Sequence, residues 1–163
     1  MMGNRSGDID PSVLQVLQEK HGLTTQQSID ILNLESGFLG VAGNADSLAI
    51  EKMFAEGDAK AALAVDMFCY RIAKYVASYT VTLGGPIAIL TFTGGIGEKS
   101  PLKRERILKF LAPLGFEVDS KLNYQNGHTE TGVISCSESS AIAMVVPTNE
   151  ELVIAQETLK LVK

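Results

Sequence analysis

The chain has 163 residues, of which 45% are hydrophobic and 20% are charged, and its formal net charge is −5. This length predicts a single domain over residues 1–163, large enough to bury a core. The acidic balance and the scattered basic residues argue against a nucleic-acid surface and against a basic membrane-binding face. The first residues lack the apolar segment of a secretory signal, no segment is apolar enough to span a membrane, and Cys69 and Cys136 lack metal-site spacing. We therefore expect a cytoplasmic protein with two free thiols.

Helices dominate the first half of the predicted structure. Asp10 followed by Pro11 is typical of a helix start, and the helix is expected to end near Gly22. A second helix is predicted to begin with either Thr24 or Thr25 as its N-cap. Together these signals indicate two short helices before residue 36.

The longest predicted helix covers about residues 59–83 and is expected to be the core helix. Before it, residues 36–40 predict a break, and Asp46 is placed to cap a short helix that reaches Phe54. Apolar residues recur along the long helix at steps of three and four, with alanines that allow neighbouring elements to approach closely. This apolar stripe comprises Val65, Phe68, Ile72, Val76 and Tyr79.

Two apolar runs in the second half predict buried strands, at residues 87–90 and 141–146. Each run precedes a predicted helix, the first at residues 101–111. Strands that alternate with helices favour parallel pairing in an α/β domain. Since two or three strands are few for so many helices, we expect part of the sheet to be missing.

The last predicted helix follows Pro147. Thr148 is expected to be its N-cap, with Glu151 completing a capping box. Leu152, Val153 and Ala155 are expected to face inward. Between this helix and the preceding one, residues 121–131 are predicted to form a polar surface loop.

A glycine-rich turn, Thr93-Gly94-Gly95-Ile96-Gly97-Glu98, lies between the first strand and its helix. A turn of this kind lets backbone N–H groups approach a phosphate or a nucleotide closely. It does not match the dinucleotide-binding fingerprint, and it lacks the Gly-Lys-Ser/Thr of a P-loop. An ordinary left-handed turn is the alternative interpretation.

Three motifs in order resemble the acetate kinase family, with which propionate and butyrate kinases share much of the pattern. The motifs are Arg5-Ser6-Gly7-Asp8-Ile9-Asp10-Pro11, the glycine-rich turn, and Pro147-Thr148-Asn149-Glu150-Glu151-Leu152. The resemblance covers nearly all of this chain but only the C-terminal portion of the family's chain. It implies a fragment of a ribonuclease H-like domain of the actin and sugar-kinase superfamily, helix-rich with a small, mainly parallel sheet.

The family resemblance implies a phosphotransferase that moves the γ-phosphoryl group of ATP to acetate, giving acetyl phosphate and ADP with the help of Mg²⁺. It also implies a homodimer. The acetate pocket is expected in the part of the family's chain that precedes the match to Met1, so this chain by itself is expected to have little activity. The alternatives are a non-catalytic module that binds nucleotide or dimerises, and a fragment of a propionate kinase.

The resemblance also assigns roles to residues of this chain. Arg5 matches the arginine that stabilises the transferring phosphoryl group, and Glu150 matches the acidic residue associated with Mg²⁺. The nucleotide-binding positions are matched by Asp46, Ser47, Gly94, Gly95, Ile96, Gly97, Glu98 and Lys99.

Simpler interpretations stand beside these roles. Arg5 would otherwise be a solvated charge near the chain end, Asp46 an N-cap, and Glu150 a carboxylate favoured by the helix dipole. The chain also departs from the family's pattern at two positions, because Leu48 replaces an arginine and Lys99 replaces an asparagine. Both departures bear on nucleotide contacts.

Overall fold

The computed structural model describes residues 1–128 and 131–162. They fall into two compact units, Met1–Tyr79 and a second unit from Thr80 onward. Each unit is described by itself below. The prediction of a single domain over residues 1–163 stays a prediction.

The first unit is built from helices. Their bounds are α1 Ser12–His21, α2 Thr25–Leu34, α3 Gly37–Ala42, α4 Ser47–Ala55 and α5 Ala59–Leu83, the last of which continues past Tyr79. Helix α1 begins one residue after the predicted Pro11, which is its N-cap, and the Asp10 carboxylate accepts the Ser12 N–H. As predicted, α1 is followed by Gly22, in the left-handed conformation at φ 65°. Thr24 forms a capping box with Gln27.

The predicted break at residues 36–40 is wrong, because α3 begins at Gly37. Burial of Phe38, which is only 1% exposed and packs its ring 5.2 Å from that of Phe68, offsets the low helix propensity of the two glycines. The first amides of α3 also have partners in the N-terminal loop: the Phe38 N–H donates to the Met2 carbonyl at 2.9 Å, and the Leu39 N–H donates to that of Gly3 at 2.9 Å. Tertiary contacts therefore form a helix where the sequence indicates a break.

Helix α5 has the predicted bounds, but its buried face is made of smaller residues than the predicted apolar stripe. The buried positions are Ala61, Ala64, Val65, Cys69 and Ala73. Of the stripe, Val65 is buried while Tyr79 is 56% exposed. Small side chains on this buried face let neighbouring elements approach the helix closely.

The second unit contains a two-stranded parallel sheet. Strand β1 is Ile89–Phe92 and strand β2 is Ile142–Val145, with Ile89 opposite Ile142 and Phe92 opposite Val145. The helices of this unit are α6 Gly94–Lys99, α7 Pro101–Phe110, α8 Ser120–Tyr124 and α9 Glu150–Leu161, with a 3₁₀ turn at Ala112–Leu114. The parallel pairing of the two predicted strands is confirmed.

Only one face of this sheet is buried, which corrects the expectation of two fully buried strands. Phe92, Ala143 and Val145 are buried, whereas Ile89 is 54% and Ile142 is 42% exposed. Side chains alternate between the two faces of a strand, so the buried residues share one face and the exposed residues share the other. The first strand also lies two residues later than predicted.

Helix α8 corrects the predicted surface loop at residues 121–131. Asn123 is fully buried, and its side-chain amide donates to the Pro101 carbonyl at 2.9 Å. The polar composition of this segment suggested a solvated loop, but one of its polar side chains packs against α7. Thr129 and Glu130, which belong to the same prediction, lie outside the described residues.

Helix α9 differs from its prediction in both cap and exposure. Asn149, and not Thr148, is the N-cap, with its side chain accepting the Leu152 N–H at 3.2 Å. Leu152 and Val153 are 49% and 57% exposed, and Ala155 is exposed as well. The inward orientation predicted for these three residues is wrong, because no described layer covers them.

Neither Cys69 nor Cys136 forms a disulfide with another described residue; Cys69 is buried and Cys136 is half-buried. Among the described residues, none of the helices combines the length and apolar character that crossing a bilayer requires.

Gly37 provides a test of how the N-terminal loop is held. Its φ is 65°, and an added Cβ would overlap the Met2 carbonyl oxygen and lie 2.8 Å from that of Arg5. Gly22 has the same φ with open space around it, so it isolates the cost of the backbone conformation. We expect Gly22→Ala to lower the free energy of unfolding by about 1 kcal/mol. Gly37→Ala should cost about 3 kcal/mol or more, because a steric clash adds to the same strain.

Urea unfolding of the two variants measures this difference. Equal losses of stability would show that the loop does not pack tightly on the start of α3.

Candidate functional site

The glycine-rich turn folds as the short helix α6 directly after β1, and its glycines serve different purposes. Gly94 has a φ of 69°, which side chains disfavour. An added Cβ on Gly97 would lie 3.2 Å from the Phe92 backbone, so this glycine allows close packing on the end of β1. Gly95 has open space beside it and leaves the backbone accessible.

Gly94 and Gly95 form one side of an open pocket of about 380 Å³. Thr148, Asn149, Glu150 and Glu151 form the other side. The pocket lies beyond the carboxyl ends of β1 and β2, the place where α/β sheets usually bind ligands. Its polar lining and its exposed glycine backbone suit a charged, phosphate-bearing ligand.

The side chain of Glu98 bridges the two sides of the pocket. Its Oε1 accepts the Gly94 N–H at 2.9 Å, the Thr148 N–H at 2.9 Å and the Thr148 hydroxyl at 3.1 Å. These hydrogen bonds, led by that of the Thr148 backbone, hold the pKa of Glu98 below its usual value. The Thr148 side chain thus bonds to α6, while the neighbouring Asn149 caps α9. A nucleotide contact by Glu98 stays a prediction.

Arg104 supports the other end of α6, a role that the sequence analysis did not assign. The side chain is 1% exposed. It donates to the carbonyls of Gly97 at 2.8 Å and Glu98 at 2.9 Å, and to Asn123 and Asn126 through three further hydrogen bonds. The available signal was its position on the apolar face of α7, three and four residues before the buried Ile107 and Leu108.

Arg5 belongs to the first unit, where its side chain is exposed on an anchored loop. The Ser36 N–H donates to the Asn4 carbonyl at 3.0 Å, and the Ser6 N–H donates to the Leu32 carbonyl at 2.8 Å. Bonds on both sides of Arg5 therefore fix the backbone while the guanidinium faces solvent. This arrangement suits a cation that meets a ligand.

Asp46 is the N-cap of α4, as one of its two predicted interpretations states. Its Oδ1 accepts the N–H groups of Leu48 and Ala49, both at 2.8 Å. Ser47 is the first residue of the helix, and Leu48, where the family has an arginine, is 69% exposed. Contacts of Asp46 and Ser47 with a nucleotide stay predictions.

The predicted site residues thus form two groups. Arg5, Asp46 and Ser47 lie in the first unit, and the segment Gly94–Lys99 and Glu150 lie in the second. Within the second unit, Gly94, Gly95 and Glu150 line one pocket.

The donor set around Glu150 fits Mg²⁺ better than a metal held by protein ligands alone. Glu150 and Glu151 are both exposed at the start of α9. Within residues 1–128 and 131–162, no group of three or more His, Cys, Asp or Glu side chains is arranged to hold a metal. Mg²⁺ usually binds through one or two carboxylates together with water and substrate phosphates.

Comparison with known proteins identifies the family. The model of the acetokinase family matches residues 1–156. The chain belongs to the acetokinase family. The resemblance found in the three motifs is therefore confirmed.

Relatives and solved structures agree with this assignment. An acetate kinase of Carboxydothermus hydrogenoformans is 46% identical over 162 residues, which cover 99% of this chain and 40% of the relative. The crystal structure of Porphyromonas gingivalis acetate kinase matches 100% of this chain and 41% of its own, with 41% identity and a TM-score of 0.85. A propionate kinase structure from Francisella tularensis matches 96% of this chain and 39% of its own, with 40% identity and a TM-score of 0.86.

These acetokinase matches confirm the helix-rich α/β fold with its small parallel sheet. The chain spans about two fifths of the length of the curated relatives it matches. The fraction of a relative that this chain covers does not say which part of the relative is covered. The placement of this chain in the C-terminal portion of the family's chain therefore stays a prediction from the order of the motifs.

The support that Arg104 gives to α6 can be tested by stability. Arg104→Met removes five hydrogen bonds and leaves buried acceptors without their donor, so we expect the free energy of unfolding to fall by about 3 kcal/mol or more. Lys109→Met is the matched control on the same helix, because Lys109 is 65% exposed and pairs with Glu105 at the surface. That control should change stability by less than about 1 kcal/mol.

Urea unfolding measures both losses. Similar small effects of the two substitutions would contradict the structural role of Arg104.

Proposed function

We propose that this chain supplies the nucleotide-binding part of a cytoplasmic acetate kinase, which transfers the γ-phosphoryl group of ATP to acetate and gives acetyl phosphate and ADP. The observation that carries the proposal is the pocket beyond the ends of the two parallel strands, in a chain of the acetokinase family. The glycine backbone forms one side of this pocket and the Glu150 carboxylate the other. The nucleotide is assigned to this pocket, with Gly94, Gly95, Ile96, Gly97 and Lys99 as its contacts and with Glu98 as the residue that holds this segment to Thr148.

The shape of the pocket supports a nucleotide ligand. Its volume of about 380 Å³ lies within the range of small-molecule sites, which is roughly 300–1,000 Å³. Open space beside Gly95 lets a ligand lie directly on the backbone. The N-terminus of α9 also favours a negatively charged group at the same pocket.

The cation of the proposed reaction is assigned to Glu150. The Glu150 carboxylate at the pocket edge would hold Mg²⁺ together with water and nucleotide phosphates, and Glu151 would add negative charge beside it. When bound, Mg²⁺ supplies positive charge that offsets the charge of the phosphate oxygens.

Arg5 is assigned to the transferring phosphoryl group. Its planar guanidinium offers several N–H donors, which suits the charge on the equatorial oxygens of a loose transition state. The exposed side chain and the anchored backbone of its loop support this role, and Asp46 and Ser47 of the same unit are proposed as further nucleotide contacts.

Nucleotide binding can be tested by calorimetric titration of the chain with Mg·ADP. We expect micromolar binding, and we expect Gly95→Leu to weaken it at least tenfold, because Gly95 lines the pocket and a leucine there would take up space for the ligand. An added Cβ on Gly95 meets no protein atom within 4 Å, so the backbone tolerates the start of a side chain. Gly85→Leu is the matched control, since Gly85 also has open space beside it and lies outside the pocket. No binding up to millimolar ADP, or equal binding by both variants, would contradict the proposed site.

Turnover by this chain alone is a separate test. Phosphoryl transfer depends on positioning and on electrostatic stabilisation around the phosphates, and none of the proposed residues binds the carboxylate acceptor. We expect acetyl phosphate formation to fall below about one thousandth of the rate of a full-length relative, as removal of catalytic groups does elsewhere. The assay uses a sample whose folding and Mg·ADP binding have been measured, and turnover near that of the relative would contradict the expectation.

A non-catalytic module that binds nucleotide or forms a homodimer is the second candidate. It is favoured by the apolar residues that α9 exposes. Leu152, Val153, Ile154, Leu159 and Leu161 are each 49% exposed or more. Exposed apolar groups of this kind mark contact surfaces. A chain that binds Mg·ADP and self-associates but never supports turnover when combined with the rest of a relative would favour this function.

A further inference from the structure

We infer that Glu98 is a positioning residue that couples the two sides of the pocket, so that nucleotide and Mg²⁺ bind cooperatively. The inference rests on the proposed function of this pocket. It concerns how the glycine side and the Glu150 side are held at a fixed separation, a role distinct from direct contact with the ligand.

One carboxylate oxygen makes the connection. Oε1 of Glu98 accepts the N–H of Gly94, at the first turn of α6, and both the N–H and the hydroxyl of Thr148. Thr148 lies two residues before Glu150 in the chain. A displacement of Glu98 would therefore be felt at the glycine backbone and at the proposed cation ligand together.

The hydrogen bonds between Glu98 and Thr148 lie just beyond the last backbone hydrogen bond that joins the two strands. The Val146 N–H donates to the Phe92 carbonyl at 2.8 Å, next to the last paired residues of β1 and β2. Beyond this bond the chain enters α6 on one side and the Thr148 segment on the other. The two bonds from Thr148 to Glu98 join these segments at the level of the pocket.

The chemistry of Glu98 favours positioning over direct binding. A carboxylate that touches a nucleotide phosphate brings two negative charges together, which is unfavourable. Three donors already surround its Oε1, and hydrogen bonds of this kind to an ionised acceptor are stronger than neutral ones. The hydrogen bonds of this carboxylate oxygen are therefore made within the protein, where they hold the two sides of the pocket together.

Conservative variants separate positioning from charge. Glu98→Gln keeps the length of the side chain and an oxygen acceptor, but removes the charge. Glu98→Asp keeps the charge, but is one methylene too short to reach both Gly94 and Thr148. A positioning role survives the first change and is lost in the second, whereas a role as Mg²⁺ ligand shows the opposite order.

The experiment is calorimetric titration of the chain with ADP in the presence and absence of Mg²⁺. The measured quantity is the ratio of the two Kd values, which reports coupling between nucleotide and cation. A general loss of stability or of nucleotide affinity raises both Kd values and leaves their ratio unchanged. Glu157→Asp on α9 is the matched control, because it shortens a surface carboxylate of the same unit outside the pocket.

We expect Mg²⁺ to strengthen ADP binding at least fivefold in the unsubstituted chain, in Glu98→Gln and in Glu157→Asp. The ratio should fall below twofold in Glu98→Asp. Amide exchange of Gly94 and Thr148, read by NMR, should quicken at least tenfold in Glu98→Asp alone, which shows that the bridge itself has opened.

Three results would overturn the inference while leaving the nucleotide assigned to the pocket: ADP binding that Mg²⁺ does not strengthen, an unchanged ratio in Glu98→Asp, or loss of the ratio in Glu98→Gln. Absence of ADP binding by the unsubstituted chain would instead overturn the proposed function, and the inference with it.

Discussion

The parallel pairing of β1 with β2 is the constraint on which the proposed site depends. Phe92 lies opposite Val145, so both strands end at the same edge of the sheet. The segments that follow, α6 after β1 and residues 147–150 after β2, therefore begin side by side. An antiparallel pair would have placed the glycine backbone and Glu150 at opposite edges, and no common pocket would have formed.

Tertiary hydrogen bonds then hold a helix that its own sequence supports poorly. Helix α6 has six residues, three of which are glycines, and such a segment has little helical stability in isolation. Glu98 accepts the amide of Gly94 at the first turn, and Arg104 donates to the carbonyls of Gly97 and Glu98 at the last. A short helix leaves the N–H groups of its first turn and the carbonyls of its last turn without intrahelical partners. In α6, a side chain of the helix itself accepts one of these N–H groups, and an arginine of α7 donates to two of these carbonyls. The glycines leave the backbone open to a ligand, and these hydrogen bonds keep that backbone in a defined conformation.

In the first unit, backbone hydrogen bonds hold the loop that carries Arg5. The loop that carries Arg5 bonds to the start of α3, and Gly37 permits this approach because it lacks a side chain. Both candidate regions therefore combine an anchored backbone with groups that face solvent. The exposed face of the sheet and the exposed apolar residues of α9 fit a chain that spans about two fifths of its relatives' length.

The sequence by itself determined the features that depend on neighbours within about four residues of one another. These are the region in which α1 begins, at Asp10 and Pro11, the start of α2 to within one residue, the N-cap Asp46, the end of α1 at Gly22, the extent of α5, and the three motifs that predict the family. Parallel pairing also followed, from the alternation of apolar runs with helices. Each of these signals is local or repeats with a fixed period, so it can be read along the chain.

Only the tertiary structure decided the rest, because the deciding contacts join residues far apart in sequence. Glu98 and Thr148 are separated by 50 positions, and Arg104 and Asn123 by 19. Local polarity predicts exposure for Asn123, as part of the predicted surface loop, yet Asn123 is buried together with Arg104, since the two side chains are hydrogen-bonded to each other. Local apolarity predicts burial for Leu152 and Val153, yet both are exposed, because burial requires a partner surface that no pattern within α9 can specify.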